Sequence, residues 1–317
     1  VNIKERVDFS CAVFASDSSL VANAPHMPVH LGSMDLSVEA IIAQNVGNMR
    51  PGDVFALNAP YNGGTHLPDI TVVTPVFDDA GENIIFYVAS RGHHADVGGT
   101  APGSMTPLAT NVNEEGVLID NFLLVDRGEF REEALQKLLT DHAYPCRNPY
   151  QNIADLKAQI AANEKGILEL RKMVKQFGLE IVNAYMGHVQ DNAEENVRRV
   201  IDVLKDSEWT TYTDQGAVIK LRITVDKVKR EATVDFTGTS PQQDSNFNAP
   251  EPVARAAVLY AFRLMVAGKI PINAGCLRPI NIIIPDDCML RPKYPAAVVA
   301  GNVETSQHVT NTLLAAL

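Results

Sequence analysis

Long apolar runs are missing from this chain of 317 residues. No stretch approaches the roughly 18 residues needed to cross a bilayer, and the N-terminal VNIKERVDFS has no hydrophobic segment of the secretory kind. The sequence therefore predicts a cytoplasmic protein with no membrane partner. Cysteine is scarce: Cys11, Cys146, Cys276 and Cys288 stand far apart with no CxxC among them, which excludes a zinc knuckle or a thioredoxin-type motif and predicts reduced thiols. Basic runs are absent as well. With 27 Lys and Arg against 38 Asp and Glu, the formal charge of -11 argues against a nucleic-acid partner. Neither GxxxxGK[ST] nor a GxGxxG after a strand occurs, so any ATP the protein uses is expected on another chain or domain. A GxSxG elbow is missing too, and Ser10, Ser33, Ser104 and Cys11 show no nucleophile pattern with the nearby histidines.

What is present is a globular balance, 46% hydrophobic and 21% charged, in a chain long enough for one large or two ordinary domains. The pattern predicts an α+β protein, mixed α and β. Residues 1–150 read as short apolar strands (DFSCAVFA, DVFALNAP, ITVVTPVF, IIFYVAS) with one helix, DLSVEAIIAQNVG. Residues 151–206 read as a helical pair. Asn152 caps the first helix, Gly178 ends it, and the second is apolar around most of its first half, as in a helix packed on several sides. Residues 207–317 read as a mixed part: an antiparallel pair with Ala217, Ile219, Leu221, Ile223 and Val225 on one face and EATVDFTG as partner, a buried helix in PVARAAVLYAFRLMVAG, core strands in INIIIP and AAVVAG, and a helical tail. The chain opens on Val and ends on an apolar helical pattern without a stop signal, so it is expected to be one piece of a longer polypeptide.

Chemistry-bearing residues gather in three loops at strand ends: Asp8 in ERVDFSC, His66 and Asp69 in GGTHLPD, and His93, His94 and Asp96 in RGHHADVGG. Such histidine and carboxylate sets suit zinc, manganese or iron. Of the adjacent histidines, strand alternation sends one inward. His93 is the preferred ligand, with His94 or Asp96 orienting it or accepting a proton. Gly98, Gly99 and Gly103 serve either tight turns or an anion-binding nest of backbone N–H groups, which would hold a phosphoryl group together with Arg91. Arg91 reads equally well as a strand-end salt-bridge residue. For His26 and His30 in APHMPVHLGSM packing is the favoured reading over ligation, and His142, His188 and His308 are read as structural.

Several long blocks, among them LNAPYNGGTHLPDITVVTPVF, YVASRGHHADVGGTAPGSM, EEGVLIDNFLLVDRGEFREE, VDFTGTSPQ and NAGCLRPINIIIP, resemble the hydantoinase B/oxoprolinase family, most closely the B-type portion of ATP-dependent 5-oxoprolinases. The resemblance runs from the first residue to AGNVETSQHV, as one continuous family domain, and implies that the family's first few dozen residues and its C-terminal continuation lie outside the chain. It implies a divalent metal held by Asp8, His66, Asp69 and His93. It also implies an oligomeric partnership with a hydantoinase A-type subunit or domain that binds ATP and phosphorylates the lactam carbonyl, while this part completes hydrolysis of 5-oxoproline to glutamate. The alternatives are a ketone carboxylase or N-methylhydantoinase subunit, or a scaffold whose metal is structural.

Overall fold

A computed structural model describes residues 2–25, 27–30 and 32–317. Its larger sheet has the strand order β2-β1-β5-β4-β3-β6-β7, antiparallel throughout. These strands are β1 (Phe9–Ala15), β2 (Leu20–Pro25), β3 (Val54–Leu57), β4 (Asp69–Phe77), β5 (Ile84–His93), β6 (Phe122–Asp126) and β7 (Glu129–Phe130). Every residue of β4 is buried, which is why its sequence shows no regular apolar and polar alternation. Among the shorter helices of this half are α1 (Asn2–Arg6), α2 (Met34–Gln44), α3 (Val112–Glu115) and α4 (Glu132–Thr140). One sheet face meets α2 in a core that includes Phe14, Met34, Val38, Ile41, Leu57 and Val73.

Two long helices follow, α5 (Pro149–Phe177) and α6 (Leu179–Val203). The expected cap is corrected: Asn148, not Asn152, caps α5, accepting from the Gln151 N–H, because Pro149 follows it at the first helical position. Asn152 lies inside the helix, buried, where its amide does other work. Gly178 ends α5 with φ 83, a left-handed conformation that costs glycine least. The first half of α6 is not packed on several sides. Ile181 and Tyr185 stay exposed beside Met173 and Phe177 of α5, lining an open apolar groove of about 580 Å³.

The second sheet has the order β11-β10-β9-β8, comprising β8 (Ser207–Tyr212), β9 (Val218–Asp226), β10 (Glu231–Asp235) and β11 (Ile280–Ile283). The period-two pattern in β9 appears as burial of Ile219, Leu221 and Ile223, with β10 as its antiparallel partner. Helices α7 (Glu251–Met265) and α8 (Glu304–Ala316) share this sheet's core with the C-terminal half of α6. Two expected core strands differ. INIIIP forms β11 but leaves Asn281 and Ile283 exposed. AAVVAG makes no strand: it runs into a 3-10 turn, Val299–Asn302, because its backbone groups are claimed from outside a ladder. Glu115 Oε1 accepts from the Val298 and Val299 N–H groups, and the Asn246 carbonyl accepts from Ala300 and Gly301.

Candidate metal centre

Antiparallel pairing brings the start of β1, the start of β4 and the end of β5 together at one end of the larger sheet's strands. Asp69 pairs directly with His93, Phe9 pairs with Gly92, and the His93 N–H donates to the Asp8 carbonyl. Alternation then sorts the side chains. Asp69 and His93, an opposed pair, share one face, and His94 turns to the other.

Four of the residues singled out in the sequence lie around one point. His93 Nδ1 is 3.2 Å from Asp69 Oδ1, His66 Nδ1 is 3.1 Å from Asp69 Oδ2, and Asp8 Oδ2 is 3.9 Å from His93 Nδ1. His30, read as a packing residue, joins them with Nε2 at 3.4 Å from Asp69 Oδ2, while its Nδ1 lies 2.8 Å from Ser10 Oγ. Nothing in the sequence between His30 and Asp8 signals this meeting; the β1–β2 hairpin and the following 3-10 turn, Pro28–His30, deliver it. His26 lies outside the described residues. The His66 loop is placed by two constraints. Gly64 approaches the backbone so closely that a Cβ there would stand 2.4 Å from the Asn58 carbonyl oxygen, and the Asn58 amide bridges Leu67, Val117 and Ile119. Asn58 carried no motif and could not have been found from the sequence.

The donors form two groups with a shared member, His66–Asp69–His93 and Asp8–His30–Asp69, and within each group the ligand atoms lie within 4.8 Å of one another. Ligand bonds of about 2.0–2.2 Å place neighbouring donors roughly 3.0–3.4 Å apart, the spacing seen around Asp69. His66 Nδ1 is fully buried and, despite its proximity to Asp69, makes no aligned hydrogen bond. A buried imidazole nitrogen beside a carboxylate to which it is not bonded fits a cation between the two. Solvent reaches the cluster from the His93 and Asp8 side, where the side chains are 14% and 18% exposed.

Burial works to raise the Asp69 carboxyl, but His66 and His30 outweigh it and hold the group well below the usual carboxylate range. Burial lowers His66 against the pull of Asp69, keeping an imidazole lone pair free. For His93, burial is overcome by the hydrogen bond and charge of Asp69 and by Asp8, and its pKa rises.

Other expected roles are corrected. His94, expected to orient His93 or take a proton, has both ring nitrogens engaged away from His93. It is fully buried against α5, with Nε2 3.1 Å from Gln159 Oε1 and Nδ1 3.1 Å from the Asn152 amide nitrogen. The Gln159 amide nitrogen donates to the Ile70 and Ser90 carbonyls, so its oxygen must accept, and His94 carries its proton on Nε2. The expected anion nest holds the protein's own anion. The Gly98 and Gly103 N–H groups donate to the two Asp96 carboxylate oxygens, and Gly99 donates to the Tyr144 carbonyl. Asp96, further held by Arg147 at 2.9 Å, is thereby engaged as a loop staple rather than as a base. Arg91, expected to clamp a phosphoryl group or to make a strand-end salt bridge, has hydroxyl partners instead. It is fully buried and donates to Thr71, Ser33 and Ser37 hydroxyls.

The family model described as Hydantoinase B/oxoprolinase matches residues 1–317. The chain belongs to that family. Its relatives in the family include 5-oxoprolinase 1 of Arabidopsis thaliana, 47% identical over 339 residues, covering 99% of this chain and 27% of the relative. In 5-oxoprolinase of Saccharomyces cerevisiae the identity is 46%, covering 99% of this chain and 25% of the relative. This hydantoinase B/oxoprolinase chain thus spans about a quarter of those relatives' length. In fold it is similar to the ATP-dependent caprolactamase of Pseudomonas jessenii, with a TM-score of 0.86 at 22% identity over 98% of this chain and 53% of the other. No helix among the described residues is long and apolar enough to cross a membrane.

Proposed function

We propose that this chain forms the hydrolytic part of an ATP-dependent cyclic amide hydrolase that opens 5-oxo-L-proline to L-glutamate, with ATP and water converted to ADP and phosphate. The observation that carries the reading is the convergence of His66, Asp69 and His93, with Asp8 and His30 beside them, at a partly open end of the sheet's strands. Family membership and the named 5-oxoprolinase relatives support the substrate class.

A lactam carbonyl is a poor electrophile because amide resonance stabilises it. In this reading a hydantoinase A-type partner transfers the γ-phosphoryl group of ATP to the carbonyl oxygen. Water then adds to the activated carbon and the ring C–N bond breaks, freeing the amine and leaving an acyl phosphate, which a second water hydrolyses to the glutamate carboxylate and phosphate. His66, Asp69, His93 and Asp8 would hold a divalent ion, zinc, manganese or iron, which when bound would supply water acidified far below its bulk value, toward about 7. Asp69 brings the negative charge the ion requires, and His30, anchored by Ser10, steadies that carboxylate from behind. Asp8 and His93 face the solvent side, where substrate arrives. With His94 and Asp96 engaged elsewhere, the proton of the attacking water passes to the cluster, in which Asp8 is the more exposed carboxylate. The four free thiols belong with a cytoplasmic setting, which is part of this proposal.

The test is reconstitution with the A-type partner. Elemental analysis should find about one divalent ion per chain, and removing it should abolish glutamate formation from 5-oxoproline and ATP until metal is restored. Full activity from metal-free protein would overturn the metal site. Turnover of acetone with bicarbonate instead of 5-oxoproline would make the complex a carboxylase.

A further inference from the structure

The residue opposite His66, on the side away from Asp69, comes from the far end of the chain. Asn302 closes the 3-10 turn Val299–Asn302, and its amide nitrogen as placed lies 3.4 Å from His66 Nε2. The Asn302 amide oxygen is buried and has no hydrogen-bond partner among the described residues. This segment is held firmly. Glu115 Oε1 accepts the Val298 and Val299 N–H groups at 2.8 Å each, and the Asn246 carbonyl accepts those of Ala300 and Gly301. Gly301 is pressed so tightly on Asn248 that a Cβ would stand 1.9 Å from its carbonyl oxygen. Asn302 is therefore delivered to His66 by a rigid support rather than by a mobile loop.

We propose that Asn302 is a positioning residue for the metal centre: its amide oxygen accepts the Nε2–H of His66 and so leaves the Nδ1 lone pair directed at the ion. The inference rests on the reading of His66 Nδ1 as a ligand. A neutral imidazole carries one N–H; if Nδ1 binds, Nε2 must donate, and ligating histidines commonly donate that N–H to a fixed acceptor that sets tautomer and ring angle. Asn302 is the polar side chain at that distance. Nitrogen and oxygen of an amide differ too little in shape to be distinguished by packing, so turning the Asn302 amide over places its now unpartnered oxygen at Nε2 without moving the chain. His30 and His93 cannot substitute, because both stand on the Asp69 side of the cluster.

Two measurements test this. Long-range proton–nitrogen spectra of metal-free protein labelled with nitrogen-15 at histidine should show His66 protonated on Nε2; protonation on Nδ1 overturns the proposal. Zinc retention against a chelator is then compared for wild type, Asn302→Asp and Asn302→Leu. The aspartate still accepts and should hold zinc at least as tightly as wild type, whereas the leucine should lose about 10–100-fold. Equal loss in both variants, or none in the leucine variant, overturns the proposal. Should Asn302→Leu fail to fold, the wild-type spectrum and the aspartate variant decide alone. Wild type that shows the Nε2–H but retains no zinc would sink the metal reading while supporting the Asn302 contact, so the two failures are separable.

Discussion

Asp69 and His93 face each other as a register pair of β4 and β5, with His93 Nδ1 3.2 Å from Asp69 Oδ1. The second Asp69 oxygen lies against both His66 and His30, so one carboxylate touches every imidazole of the cluster. Asp69→Asn keeps the volume and removes the charge. It should empty the centre of metal and lower reconstituted turnover by more than the 10–100-fold or so typical of an outer hydrogen-bond partner, read by elemental analysis and ATP-dependent glutamate formation. A folded variant with full turnover would instead place catalysis in the partner.

The two adjacent histidines should separate cleanly. His94→Ala leaves Gln159 and Asn152 without their buried partner and should cost about 2–4 kcal/mol of unfolding free energy in urea, with little change in metal content. His93→Ala should do the reverse, losing metal while stability changes little. Matching phenotypes would contradict the sorting of the pair onto opposite faces.

Glu115 offers a pH test away from the centre. Burial raises its carboxyl from an ordinary value of 4.5 to about 8, against the two backbone N–H groups that favour ionisation. Between those values the unfolded chain releases a proton that the folded chain keeps, so stability falls as pH rises, by up to about 1.4 kcal/mol per pH unit from this group. Below about 4.5 and above about 8 its contribution is flat. Glu115→Gln still accepts from Val298 and Val299 and cannot ionise. Urea midpoints at a series of pH values should show a flatter profile for the variant and a gain in stability at pH 8; superimposable profiles would contradict the assignment.

Arg91 separates a structural from a phosphate-binding role. Burial lowers its pKa to about 10, with Asp69 and Asp35 opposing the shift, so it remains a cation at neutral pH. A lysine cannot reproduce its planar fork of donors. Arg91→Lys should therefore cost about 1–3 kcal/mol for each of Ser33, Ser37 and Thr71 left unpaired. A variant of undiminished stability with a raised KM would restore the phosphoryl-clamp reading.

Much of the local structure was legible because it depends on near neighbours. The period-two burial of β9, the long helices and the glycine stop at Gly178 follow from side-chain spacing and backbone sterics. Asp8, His66, Asp69 and His93 stood out because ligand-type side chains are uncommon at the ends of apolar strands. The glycine loop misled, since an exposed row of N–H groups and a row already satisfied by Asp96 and the Tyr144 carbonyl have the same sequence. AAVVAG misled likewise: its apolar content suits a strand, but Glu115 and Asn246 take its N–H groups.

By itself the sequence determined the alternation that sends the adjacent His93 and His94 to opposite faces, the period-two burial of β9, and kinship legible from end to end. The tertiary structure alone decided that His30 would stand behind Asp69, that Asn302 would reach His66 across 236 positions of chain, and that His94 would serve α5. The physical reason is that periodicity is a property of adjacent residues, whereas a buried polar atom takes its partner from whichever segment the closed core brings within hydrogen-bond reach.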